Sequence, residues 1–352
     1  MELEKRYAFY HFRKTLIRLA IMILYGGLVI NSSIHRQWDY IGWAEDTEIR
    51  HDFSLSGFGT NMIIFCCVVA VLEFYEFKNR RNLDSWFSFP LARWKIAVIH
   101  FLNGSFHLFA AHTVSFIWGL IKLSPYVKEC NLDMSIMAPL YFSILFTGIL
   151  SLGFLMFPVI LANNTFDSIA LGILYCLTPT LVLGNIFRVF VHHTEVSEFS
   201  SIPLANLMLF ANMYTDNLTT DYYSEIYEYR ARRTVLESGD VIWIAVWALI
   251  SIALFAAAIY IFDRKETERV GGVSDSIFAY RIFIPLTMIS LILEIGGSLG
   301  GGVFFGIATF ISYVIFRRGV KLKVPDIIFI AVITALATIP CDYLERLSEL
   351  TR

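Results

Sequence analysis

The sequence predicts an all-α polytopic membrane protein of about nine transmembrane helices, with its N-terminus inside. Three observations carry this. Of the 352 residues, 57% are apolar and only 16% charged, whereas soluble domains are about 45–50% apolar with glycine counted in and about 25% charged. The mean hydropathy is +0.62, more than a water-soluble chain of this size could bury. The apolar residues also fall into long runs, and the cations collect between alternate runs.

A membrane-crossing helix needs about 20 mostly apolar residues. Runs of that kind occupy 15–33, 58–77, 96–121, 135–162, 164–187 and 241–262. The stretch 282–316 is long enough for two, broken by the glycine-rich tip Gly296–Gly302, and a last, shorter run covers 327–341. The first run follows a polar start without a small-residue cleavage site, so it reads as a retained span. With the N-terminus inside, the segments 1–18, 78–95, 263–281 and 317–323 hold eighteen of the 28 Lys and Arg residues. That excess is what cytoplasmic loops carry.

Outside the spans the composition is more particular. Residues 1–14 mix cations with Tyr7, Phe9, Tyr10 and Phe12, which suits a helix lying in the inner membrane interface, its rings toward lipid. The loop after the second span gathers charge at both ends and apolar side chains in the middle. Leu83, Trp86 and Phe87 fall at i, i+3 and i+4, so a helix over 82–90 has one apolar face. Asp84 or Ser85 would cap it, and Pro90 would end it. Either this helix docks into a soluble partner or its rings rest in the interface. The external loop 188–240 carries many tyrosines and two apolar patches, Phe187–Val191 and Leu204–Met213, which suit a folded surface loop.

Two segments resemble a known family. The run EFYEFKNRRNLDSWFSFPLARWKIAVIHFLNG, from Glu73, looks like the second span, coupling helix and third span of ABC-2-type ABC transporter permeases. It most resembles the Firmicutes acetoin-operon (Ytr-type) group. The segment FDRKETERVGG, Phe262–Gly272, is similar to the same group's stretch after its sixth span, with Val270 where alanine is usual. The resemblance implies a six-span core over 15–262, a cytoplasmic loop 263–281, extra spans over 282–341 and a tail 342–352. It implies a transport subunit of a bacterial cell membrane, itself no enzyme, that exports an amphipathic compound, peptide or lipid-like substrate. Its partners would be a cytoplasmic ABC ATPase, which holds the ATP and Mg, a second permease (a copy or a related chain) and membrane lipids. Leu83, Asp84, Trp86, Phe87, Phe89 and Arg93 would make the ATPase contact.

The residues agree with a chain that carries no ATP site of its own, since G-x-x-x-x-G-K-[ST] does not occur. A net charge of −2 gives no basic excess for nucleic acid. Glu73, Glu76 and Glu294 are the acids read as candidates in transport or gating, because an ionisable group at membrane depth is costly. Glu73 and Glu76 precede Lys78, Arg80 and Arg81, so interfacial salt bridges would also account for them. Glu294 reads as the one acid well inside a span. His100 and His107 share a face of the third span and His112 is rotated away. No acid accompanies them along that helix, so no metal site is expected. The alternative function is an ATP-independent secondary transporter or a membrane-embedded enzyme.

Overall fold

The computed structural model describes residues 2–34, 37–41, 48–52, 54–79, 90–129, 132–190, 198–216, 218, 236–265, 270–274, 276–295 and 299–338. Among the described residues eight helices are long and apolar enough to cross a membrane, and the chain is a multi-pass helical membrane protein. In chain order the helices are α1 (Glu2–Ser33), α2 (Ser56–Phe74), α3 (Arg93–Leu123), α4 (Met137–Leu161), α5 (Thr165–Phe190), α6 (Pro203–Asp216), α7 (Ser238–Arg264), α8 (Ile282–Ile295), α9 (Leu299–Arg317) and α10 (Val324–Thr338). Outside those eight stand α6, which covers Leu204–Met213, and α10, the fifteen-residue run at the end; α8 is counted together with the turn that precedes it, Ile277–Ile295. An antiparallel hairpin, β1 (Gln37–Ile41) with β2 (Glu48–Asp52), lies between α1 and α2, where only a loop was expected.

The chain divides into two compact units. The first comprises 1–73, 90–154 and 197–259. Here α1 packs along α3, and the approach is close because Gly26 has no side chain: a Cβ there would overlap Ser115 Oγ. Residues 2–14, expected as a separate interfacial piece, are continuous with the first span in one 32-residue helix. Tyr7, His11 and Thr15 are buried on it, while Phe9 and Tyr10 face outward. The segments expected outside meet each other at the other end of this unit. Leu55 N–H donates to Thr215 Oγ1 at 2.9 Å, and Asp133 N–H to the Leu218 carbonyl at 3.0 Å.

The second unit comprises 74–89, 155–196 and 260–352. In it α8 packs against α5, and α9 against α10. Gly302 and Gly306 bring α9 onto Thr338 and Thr334 with no room for a Cβ, the small-residue packing that membrane helices use. A π-type turn, Ile277–Arg281, leads into α8 with a kink at Ala279. Tyr175 O–H takes up the nearby Phe278 carbonyl at 2.7 Å. Helices α8 and α9 are separate, as the sequence predicts, with α9 starting inside the glycine tip at Leu299.

Candidate functional site

Near the start of α1, the polar positions 7, 11, 15 and 18 follow helical spacing. On α3, positions 100, 103 and 107 do the same. The two stripes face each other in the first unit, and Glu73, in the last turn of α2, completes the group. Tyr7, His11, Thr15, Glu73, His100, Asn103 and His107 are all buried, none more than 8% exposed.

Glu73 is the hub. His11 Nε2 donates to its Oε2 at 2.7 Å, and His100 Nδ1 to the same oxygen at 3.0 Å. Arg18 Nη1 donates to Oε1 at 2.6 Å and Asn103 Nδ2 to Oε1 at 3.0 Å. A carboxylate only accepts, so both imidazoles must present N–H groups to it. His100 is then left with a bare Nε2, which accepts from Tyr7 O–H at 3.0 Å. His11 Nδ1 is buried and finds no hydrogen-bond partner among the described residues. The His11 and His100 rings lie 3.9 Å apart, centre to centre. His107 sits one step further on, its ring nitrogens 2.7 Å from the Asn103 carbonyl oxygen and 3.2 Å from that of Thr15.

The arrangement holds three helices together through one carboxylate with four donors. It also gathers the donor types that bind transition metals. Among the described residues, His11, Glu73 and His100 form one group whose ligating atoms all lie within 4.8 Å of one another.

Glu73 does not pair with Lys78; it turns to His11, Arg18 and His100. His100 therefore has acidic company, supplied by another helix. Glu76 begins a short 3-10 turn, Glu76–Lys78, outside this cluster. Glu294 is exposed in the last turn of α8, not in mid-span, because the helix ends where the glycines begin. His112 is apart, stacked on Tyr141 at 5.1 Å between ring centres. Arg93 opens α3. Leu83, Asp84, Trp86, Phe87 and Phe89 lie outside the described residues, as do Arg80 and Arg81. His11 is the residue that sequence reasoning missed, having been placed in an interfacial segment.

A second polar cluster sits in the second unit, around the end of α4. Lys78 Nζ donates to the carbonyls of Val159 and, at 3.3 Å, Ala162, and to Ser168 Oγ. Lys265 Nζ donates to Ile160 O at 2.6 Å and Ala162 O at 2.5 Å. The last carbonyls of a helix have no partner within it and carry partial negative charge, so two ammonium groups complete this terminus. Burial pushes the Lys265 ammonium down to about 7 and, with the neighbouring Lys265 charge adding to it, holds Lys78 well below the ordinary lysine range. Alongside, Asn164 caps α5 by accepting from Asp167 N–H at 2.9 Å. Asp167 Oδ2 accepts from Ser274 Oγ at 2.7 Å, and Gly271 N–H donates to the Asn163 carbonyl at 2.8 Å.

No protein family, curated protein or solved structure matches the chain.

Proposed function

We propose that this protein is the membrane permease subunit of an ATP-driven ABC exporter, N-terminus inside, with nine spans counting α10. The observation that carries the reading is where the two resembling segments fall. Phe74 and Phe77, from the first, pack on Phe262, from the second, with ring centres 5.6 and 5.2 Å apart. Lys78 and Lys265, one from each, close the same helix end. Both segments leave their spans on the side where the positive-inside bias puts the cytoplasm. The coupling helix expected at 82–90 would begin four residues after Lys78, which belongs to that junction. ATP binding would close the ATPase dimer, and Trp86 and Phe87 would carry the motion into the spans.

Burying two such aromatics in a partner cleft is worth about 1.5–3 kcal/mol each. Replacing Trp86 and Phe87 together with Ala should therefore release the ATPase on co-purification and abolish vanadate-sensitive transport, while the permease still inserts. Unchanged co-purification and transport would end this reading.

A second reading, an ATP-independent carrier or a membrane-embedded enzyme, draws on the buried Glu73 cluster, since titratable groups gathered at one depth are what proton relays use. Transport driven by a pH gradient without nucleotide would favour it.

A further inference from the structure

We propose that His11, Glu73 and His100 form a binding site for one divalent transition-metal ion of the zinc or cobalt type, held between α1, α2 and α3. Two imidazoles and a carboxylate are an N2O donor set that zinc accepts with a fourth position left to water or another ligand. Each donor comes from a different helix, and each side chain is almost fully buried, so their positions are fixed by packing. The two imidazole nitrogens already converge on a single oxygen, Glu73 Oε2, at 2.7 and 3.0 Å. Bonds of about 2.0–2.1 Å in a tetrahedron place neighbouring ligand atoms about 3.3 Å apart, so the two nitrogen–oxygen pairs open by about 0.3–0.6 Å while the two nitrogens, within 4.8 Å of each other, take the same spacing around the ion.

On His100 the outer partner suits the change. If His100 binds through Nδ1, its proton moves to Nε2, which then donates to Tyr7 Oη, already 3.0 Å away. A metal-bound histidine ordinarily has such a partner on its other nitrogen. His11 would bind through Nε2, the atom that faces Glu73, and its proton would move to Nδ1, which has no hydrogen-bond partner among the described residues. Arg18 stays on Oε1 and leaves Oε2 to the ion. Its charge opposes a dication nearby, so it sets the affinity below that of a His2Glu site without it. Glu73 lies in the last turn of α2, and His11 and His100 lie in the first thirds of α1 and α3. Metal binding here requires no ATPase and holds under either functional reading.

The test is a Co2+ titration of the full-length, chelator-treated protein in detergent, followed by visible absorption and metal counting. One Co2+ per chain with the intense absorption of four-coordinate cobalt is expected, displaced by Zn2+. Glu73→Gln, His11→Gln and His100→Gln should each weaken binding at least about tenfold. Arg18→Gln should strengthen it about tenfold or more, by removing the opposing charge. His112→Gln, on the same helix outside the cluster, should leave it unchanged. Should the ligand variants fail to fold, X-ray absorption of the cobalt-loaded natural protein decides alone, by showing two imidazoles in the coordination shell or not. A purely hydrogen-bonded triad, seen as no stoichiometric Co2+ in the natural protein, overturns the proposal; so does tight binding that survives Glu73→Gln.

Discussion

The two polar clusters solve opposite problems. Around Glu73 a single buried anion is satisfied by side chains, four donors from residues on α1 and α3. Around the end of α4, two lysines, Lys78 buried and Lys265 half-buried, are satisfied largely by backbone, the carbonyls of Val159, Ile160 and Ala162. The first cluster depends on side chains whose identity is exact. The second asks of α4 only that it end there, and of its neighbours only an amine on a long stem. Chemical specificity is therefore concentrated in the first unit, and the second holds a structural joint.

The largest effect expected from this contrast is at Glu73. Glu73→Leu removes the acceptor shared by four donors and leaves Arg18 and two imidazoles without it, which should cost about 3 kcal/mol or more, measured by unfolding in detergent. Lys78→Met, which uncovers two carbonyls and the Ser168 hydroxyl, should cost about 1–3 kcal/mol. Equal losses at the two sites would erase the distinction.

A pH series sharpens it next. In the folded chain Lys265 gives up its proton near pH 7, whereas the unfolded chain keeps it to about 10.4. Between those values the unfolded state binds more protons, so stability rises with pH from about 7 to about 10. Lys265→Met should flatten that rise, and a slope unchanged in the variant would show that the amine is hydrated. The smallest expected effect is Tyr7→Phe, which removes one hydrogen bond to His100 and should cost about 1 kcal/mol.

Much of the fold was legible because a membrane span is a compositional signal, and the glycine tip marks the break between α8 and α9. The β1–β2 hairpin was not, since its short strands alternate weakly among charged residues. Of the candidate site, Glu73 was visible as an acid at depth, but its partners were assigned from sequence neighbours. Lys78 is five residues away and bonds elsewhere; His11 is 62 residues away and bonds to it. A usable signal did exist in the matched polar stripes, Tyr7-His11-Thr15-Arg18 on α1 and His100-Asn103-His107 on α3. Aromatic and cationic neighbours around the first stripe hid it, because they made the whole segment resemble an interfacial helix. The pairing of stripes between helices is a tertiary fact that no single helix encodes.

The closure of α4 by Lys265 also has a consequence for the order of synthesis. The carbonyl of Ile160 waits for an amine encoded 105 residues later. At about 5–20 residues per second, the ribosome needs roughly 5–20 s to supply it. Lys78 is made before α4, so the nascent helix has one of its two caps from the outset and receives the other only after α5, α6 and α7 have been made. Until then the end of α4 lacks one of the two amines that close it in the folded chain.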